Sequence, residues 1–165
     1  MSWQGPSGRQ FLRRHCTTAV VAALMLPSVT AWTHHGVTGQ YDTSTPIVIS
    51  GTVTHGVFAP PHPVLSVRVD ASELPERLNV DRPDIITGPL TIRVDDAGEV
   101  RAIELPPLRA FHELGRKLRG GDHVTLIALR NCLPPHELRS SWIQLPDGHI
   151  VSQTGDKARR THGCL

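Results

Sequence analysis

Residues 46–58 read Pro-Ile-Val-Ile-Ser-Gly-Thr-Val-Thr-His-Gly-Val-Phe, and no other stretch limits the possible folds as sharply. Side chains alternate across a strand. Ile47, Ile49, Gly51, Val53 and His55 therefore share one face, and Val48, Ser50, Thr52 and Thr54 the other. β-Branched residues suit a pleated surface, whereas glycine in mid-strand marks a sharp bend such as a barrel corner. Gly51 is on this reading a structural position, and a strand bent there predicts a small closed sheet.

The rest of the chain supplies partners for that strand. Val64–Asp70 alternates, with Leu65, Val67 and Val69 to one side. Residues 71–89 hold three prolines, one glycine and no period, which predicts a long surface insertion. Leu90–Val94 resumes alternation, Asp95-Asp96-Ala97-Gly98 is a turn, and Glu99–Leu105 returns as a partner strand before Pro106-Pro107 stops the sheet. Leu108, Phe111, Leu114 and Leu118 recur at helical spacing, with Gly120-Gly121 as the stop. Val124–Leu129 is apolar on both faces, as in a central strand. A hairpin follows, Ser141–Leu145 and His149–Ser152 about a Pro146-Asp147-Gly148 turn. The expected fold is mainly β: a small barrel of the oligonucleotide-binding (OB) type with one short helix between the fourth and fifth strands. An irregular β-sandwich is the alternative.

The first residues carry a different message. Arg9, Arg13 and Arg14 precede the apolar run Cys16–Leu26, and Val29-Thr30-Ala31 offers small or slim residues at an exit site. That order predicts a secretory signal over residues 1–31, cleaved after Ala31. The run has 11 residues, whereas a membrane-spanning helix needs about 20, so the alternative of a permanent anchor is disfavoured. The reading is a barrel domain over 32–153 and a polar tail over 154–165, released to the periplasm or beyond and not spanning the membrane after cleavage.

Charge and cysteine count are best read on the trimmed chain. Three of the 17 basic residues leave with the signal, so 14 stand against 15 acidic ones. A near-neutral surface gives no electrostatic case for nucleic acid. Five aromatics remain, Trp32, Tyr41, Phe58, Phe111 and Trp142, too few for a stacking platform. Cys132 and Cys164 also remain, and an even pair in an oxidising compartment favours one disulfide tying the tail to the body, against two free thiols.

An ordered set of short motifs runs through the chain: His34-His35-Gly36, Tyr41-Asp42, Gly51-Thr52-Val53, Pro61-His62-Pro63 and Gly121-Asp122-His123-Val124. In this order the chain resembles a family of small exported bacterial proteins to which no reaction is assigned. The resemblance is close over residues 33–69 and looser over 108–145. It implies a β-barrel in the periplasm. Pro61 stands where that family has asparagine, so a role for that amide is lost, and the insertion over 71–89 is longer.

Histidine is the abundant chemical candidate. Imidazole is a common ligand for copper, zinc and nickel, and His34, His35 and His62 form the expected metal set, for a copper-type divalent ion. His62 sits in Pro60-Pro61-His62-Pro63, on a turn stiffened by proline. Cleavage after Ala31 would also make His34 the third residue, where a free amine, two amides and an imidazole give the tetragonal nitrogen set of Cu(II) or Ni(II). Adjacent residues on an extended strand face opposite ways, so His34 and His35 share an ion only in an irregular segment. Catalytic signatures fail. His112-Glu113 and His136-Glu137 begin a zincin pattern, but Arg116 and Ser140 stand where the second histidine belongs. There is no Gly-x-Ser-x-Gly elbow, phosphate-binding glycine loop or Cys-x-x-Cys pair. Asp95-Asp96 reads as turn, and Tyr41-Asp42 as a structural pair at the barrel edge. The expected function is non-enzymatic: binding of a small ligand or an envelope protein. Metal carriage is the alternative, and a metal-dependent hydrolase ranks last.

Overall fold

Strand β1 runs from Gln40 to Val57, so the alternating stretch that begins at Pro46 is only part of it. The computed structural model describes residues 1–2, 39–70, 73–75, 78, 80, 86–152 and 159–164. The chain divides into two units, Met1–Thr33 and His34–Leu165, and the fold lies in the second. Residues 3–38, which hold all but the first two residues of the expected signal, its expected exit site, His34 and His35, lie outside the described residues.

After β1 come β2 (Val64–Val69), β3 (Val100–Glu104), the one-turn helices α1 (Arg109–His112) and α2 (Leu114–Lys117), β4 (His123–Asn131), β5 (Leu138–Gln144), β6 (Ile150–Ser152) and β7 (Arg159–Thr161). β1 pairs with β2, β2 with β3, β3 with β5, β5 with β4, and β4 with β1 again. The circuit is a closed five-stranded barrel. Only the β3–β5 pair within it is parallel. That order, with a helix between β3 and β4, is the OB arrangement.

Gly51 is what lets the circuit close. It stands opposite Val69 of β2 and Val124 of β4 at once. A Cβ there would lie 2.0 Å from the Arg68 carbonyl oxygen, closer than two such atoms can approach. The glycine is needed for the near contact of two backbones at the corner.

The interior holds one apolar cluster, including Ile49, Val53, Leu65, Val67, Ile103, Phe111, Leu114, Leu126 and Ile143. β4 alternates cleanly: Val124, Leu126 and Ala128 belong to that cluster. Ile127 and Leu129 join Tyr41 and Trp142 in a second one, on the opposite face. Leu78, Val80, Ile86 and Leu90 pack on this second cluster. The insertion is thus not merely a surface loop. It covers the outside of β4 and β5 and makes β4 apolar on both sides.

Three expectations are corrected. Leu90–Val94 is not a strand: only Thr91 pairs, through one parallel bridge to Ile47. The edge of β1 that faces it is taken on one side by β7 and on the other by β2, leaving room for a single bridge. The helix therefore follows the third barrel strand, not the fourth. It is also broken into two turns at Glu113, and Gly115 sits against the Phe58 ring, where a Cβ would come within 2.9 Å. Finally, the tail is held by more than a disulfide, because Arg159–Thr161 pairs in parallel with Gln40–Asp42.

Candidate functional site

Two loops mark the barrel end where OB folds place ligands, the β1–β2 and β4–β5 connections. Both contain Pro-Pro-His: Pro60-Pro61-His62 and Pro134-Pro135-His136. Both Pro-Pro bonds are cis.

His62 is the half-buried member. Its Nδ1 lies 3.2 Å from Glu104 Oε1, a charge-to-ring contact without a well-angled hydrogen bond. The same carboxylate oxygen accepts from the Arg139 guanidinium. Arg139 is buried, while Glu104 is partly open to water. The cluster is built by register. Val64, two residues beyond His62, pairs with Glu104 at the end of β3. Glu104 pairs in turn with Arg139 near the start of β5. The Pro63 carbonyl accepts from the Leu105 N–H at 2.8 Å, which fixes the loop to that corner. The Glu104 carboxylate thus stands beside Nδ1, the place from which a hydrogen-bonded carboxylate orients a metal-binding imidazole.

His112 and His136 are pinned in the same sense. Their Nδ1 atoms lie 2.7 Å from the Phe58 carbonyl and 3.0 Å from the Asn131 carbonyl. A carbonyl only accepts, so each ring donates from Nδ1. His136 has φ of 64°, in the left-handed region that few non-glycine residues adopt. Among the described residues no group of three or more His, Cys, Asp or Glu side chains is placed to hold a metal ion. His62 and Glu104 are therefore not completed to a set of three among the described residues, and His34 and His35 lie outside them.

Tyr41 and Asp42 sit at the other end of β1. Tyr41 is 1% exposed and part of the second cluster. The Asp42 carboxylate accepts from Ser44 N–H (2.8 Å), Ser44 Oγ (2.6 Å), Thr45 Oγ1 (3.0 Å) and Gly163 N–H (3.0 Å). Burial, the largest single influence, raises its pKa. The hydrogen bonds from Ser44, Gly163 and Thr45 together outweigh it and hold the carboxyl below its ordinary value. The carboxylate stands where the β1–β4 pairing shifts register, between Asp42 and Ile47, and stabilises that irregular turn of chain. Cys132 and Cys164 form a disulfide with Cα atoms 5.3 Å apart.

Asp96, read as turn, ends a short 3₁₀ turn and is buried at 2% exposure. Its carboxylate meets Arg101 at 2.5 Å and Arg93 at 3.6 Å. A separate cleft of about 650 Å³ is lined by Lys117, Asp122, Leu145, Pro146, Asp147 and His149. Its two carboxylates are engaged in turns, Asp122 with the Arg119 N–H and Asp147 with the His149 N–H. Sequence reasoning found His62 but missed Glu104 and Arg139. Their only sequence signal is a charged residue beside a strand end.

The chain matches no family model, no curated protein and no solved structure. No helix among the described residues is long and apolar enough to cross a membrane.

Proposed function

We propose that this chain is an exported, non-enzymatic binding module whose ligand site is the barrel corner framed by residues 58–63 and 132–137. One observation carries the reading: His62, Glu104 and Arg139 converge there from three segments of the chain. A buried guanidinium, a partly open carboxylate and a half-buried imidazole lie beside two proline-rich loops, the mix of apolar residues and few fixed polar groups that small-ligand sites use. The outer face of β2 and β3 offers Ser66, Arg68, Val100 and Ala102. The described aromatics, Tyr41, Phe58, Phe111 and Trp142, are in or against the cores instead. That favours a small ligand or an envelope protein over a nucleic-acid strand. The motif resemblance to small exported bacterial proteins supports the same compartment.

A fragment screen by two-dimensional amide NMR tests this. Hits should shift Ala59, His62, Leu105, Leu133, His136 and Glu137. Hits that gather elsewhere, or none at millimolar concentration, count against it.

The second reading is carriage of a copper-type divalent ion by His34, His35 and His62. The carboxylate behind the His62 imidazole favours it, because such a partner orients a ligand ring. Titrating the trimmed chain with Cu(II) should give binding that weakens at least tenfold in His62→Ala. No heat and no visible absorption band would remove this reading.

A further inference from the structure

We propose that residues 159–164 are a strap latched by a redox-sensitive bond: reduction of Cys132–Cys164 undocks β7 and bares the β1 edge at Gln40–Asp42, while the barrel stays folded. Three features of the structure lead there.

First, β7 lies outside the closed circuit. The five barrel strands pair with one another without it, and among the described residues its only strand partner is β1, over three residues. Second, no strap residue belongs to either apolar cluster. Apart from the disulfide, polar contacts hold the strap down. Gly163 N–H donates to Asp42, and Thr43 Oγ1 donates to the Thr161 carbonyl at 3.0 Å. Thr43 Oγ1 is also 2.7 Å from Thr87 Oγ1, which is 2.9 Å from His162 Nδ1. Counting protons sets the direction of this chain. Thr43 has spent its hydrogen on Thr161, so Thr87 donates to Thr43, and His162 donates from Nδ1 to Thr87. The strap thus clips to β1 and to the insertion together. Each such bond is exchanged for one to water when the strap leaves, so its net contribution is small, whereas docking freezes six residues of backbone. The covalent bond tips the balance. Third, Cys132 and Cys164 are both half-exposed, within reach of an attacking thiolate.

The chemistry is a two-electron exchange with a dithiol reductant. One reductant thiolate attacks a sulfur of the pair, forming a mixed disulfide and releasing a cysteine thiolate that takes up a proton. The second reductant thiol, as its thiolate, then displaces the other cysteine. The protein ends with two thiols and the reductant with a disulfide. Strap closure on this account follows the redox state of the compartment and does not depend on which ligand the barrel takes.

Hydrogen–deuterium exchange on the intact chain, oxidised and after dithiothreitol, decides it, with thiol state checked by mass. Amides at 159–163 and that of Tyr41 should exchange at least tenfold faster after reduction, while Leu126–Ala128 of β4 keep their protection. Trypsin should cut after Arg159 and Arg160 only in the reduced protein. Cys164→Ser, at the far end of the chain, should reproduce the reduced pattern without reductant. Unchanged strap protection in the reduced protein or in Cys164→Ser overturns the proposal, because polar contacts alone would then hold it. Loss of protection in β4 together with the strap overturns it as well, because the bond would then staple the whole barrel.

Discussion

Replacing Gly51 by alanine tests the barrel-corner argument most directly. The added methyl would sit 2.0 Å from the Arg68 carbonyl oxygen and 3.0 Å from Val69 Cα. Both are backbone atoms, so no side-chain rotation relieves the contact. β2 must retreat by more than 1 Å, since ordinary contact begins near 3.4 Å. Overpacking of this kind costs about 1–3 kcal/mol. The retreat also stretches the adjacent Asp70 N–H to Ser50 carbonyl bond, now 3.0 Å, and such a bond contributes about 1 kcal/mol. The total is about 2–4 kcal/mol, a large part of the stability of a domain this size. The thermal midpoint should fall by about 8–15 °C. Gly98→Ala is the control: its φ is +81°, but nothing lies within 4 Å, so only the left-handed conformation is penalised, by about 1–2 kcal/mol. Circular dichroism melts of the two variants give the comparison. A Gly51→Ala midpoint within 2–3 °C of the parent (roughly the shift of under 1 kcal/mol), or no lower than that of Gly98→Ala, would refute the claim that two backbones meet at this glycine.

Further outcomes follow from the ion pairs and the second core. Asp96→Ala removes the partner of Arg101 from a nearly buried site and should cost about 3 kcal/mol in urea unfolding, at the low end for a buried pair because Arg101 is partly open to water. Trp142→Ala empties the cluster beneath the insertion and should cost about 3–5 kcal/mol; a loss under 1 kcal/mol in the same measurement would mean the insertion does not seal that face. The Asp42 carboxyl has a folded pKa below its ordinary 3.8, so its stabilisation is complete above about pH 4 and is lost as pH falls through the lower folded value. Melts taken downward from pH 5 should show an acid-limb decline that flattens in Asp42→Asn; an identical decline in that variant places the titration elsewhere.

Several features were legible in the linear chain because they depend on neighbours along it. Alternation marked β1, β2 and β3, the two-faced apolar run marked β4, and Gly51 marked a bend. The insertion was harder to read. Leu78, Val80, Ile86 and Leu90 carry no period, because they follow the surface of β4 and β5 rather than a helix or strand of their own. Leu90–Val94 alternates, yet alternation does not create a free edge to pair with. The His62 corner was half visible: histidine between prolines draws notice, but Glu104 and Arg139 are 35 positions apart and meet only through the parallel β3–β5 register.

The residues by themselves determined the class of fold, since side-chain period and one obligatory glycine restrict a short β-rich chain to a bent, closing sheet. They also nominated His62 and the two cysteines. The tertiary structure alone decided which polar groups face one another, which strand edge the C-terminal segment covers and where the second core lies. Those pairings arise from strand register and chain closure, which bring distant residues together and leave no periodic trace in the sequence.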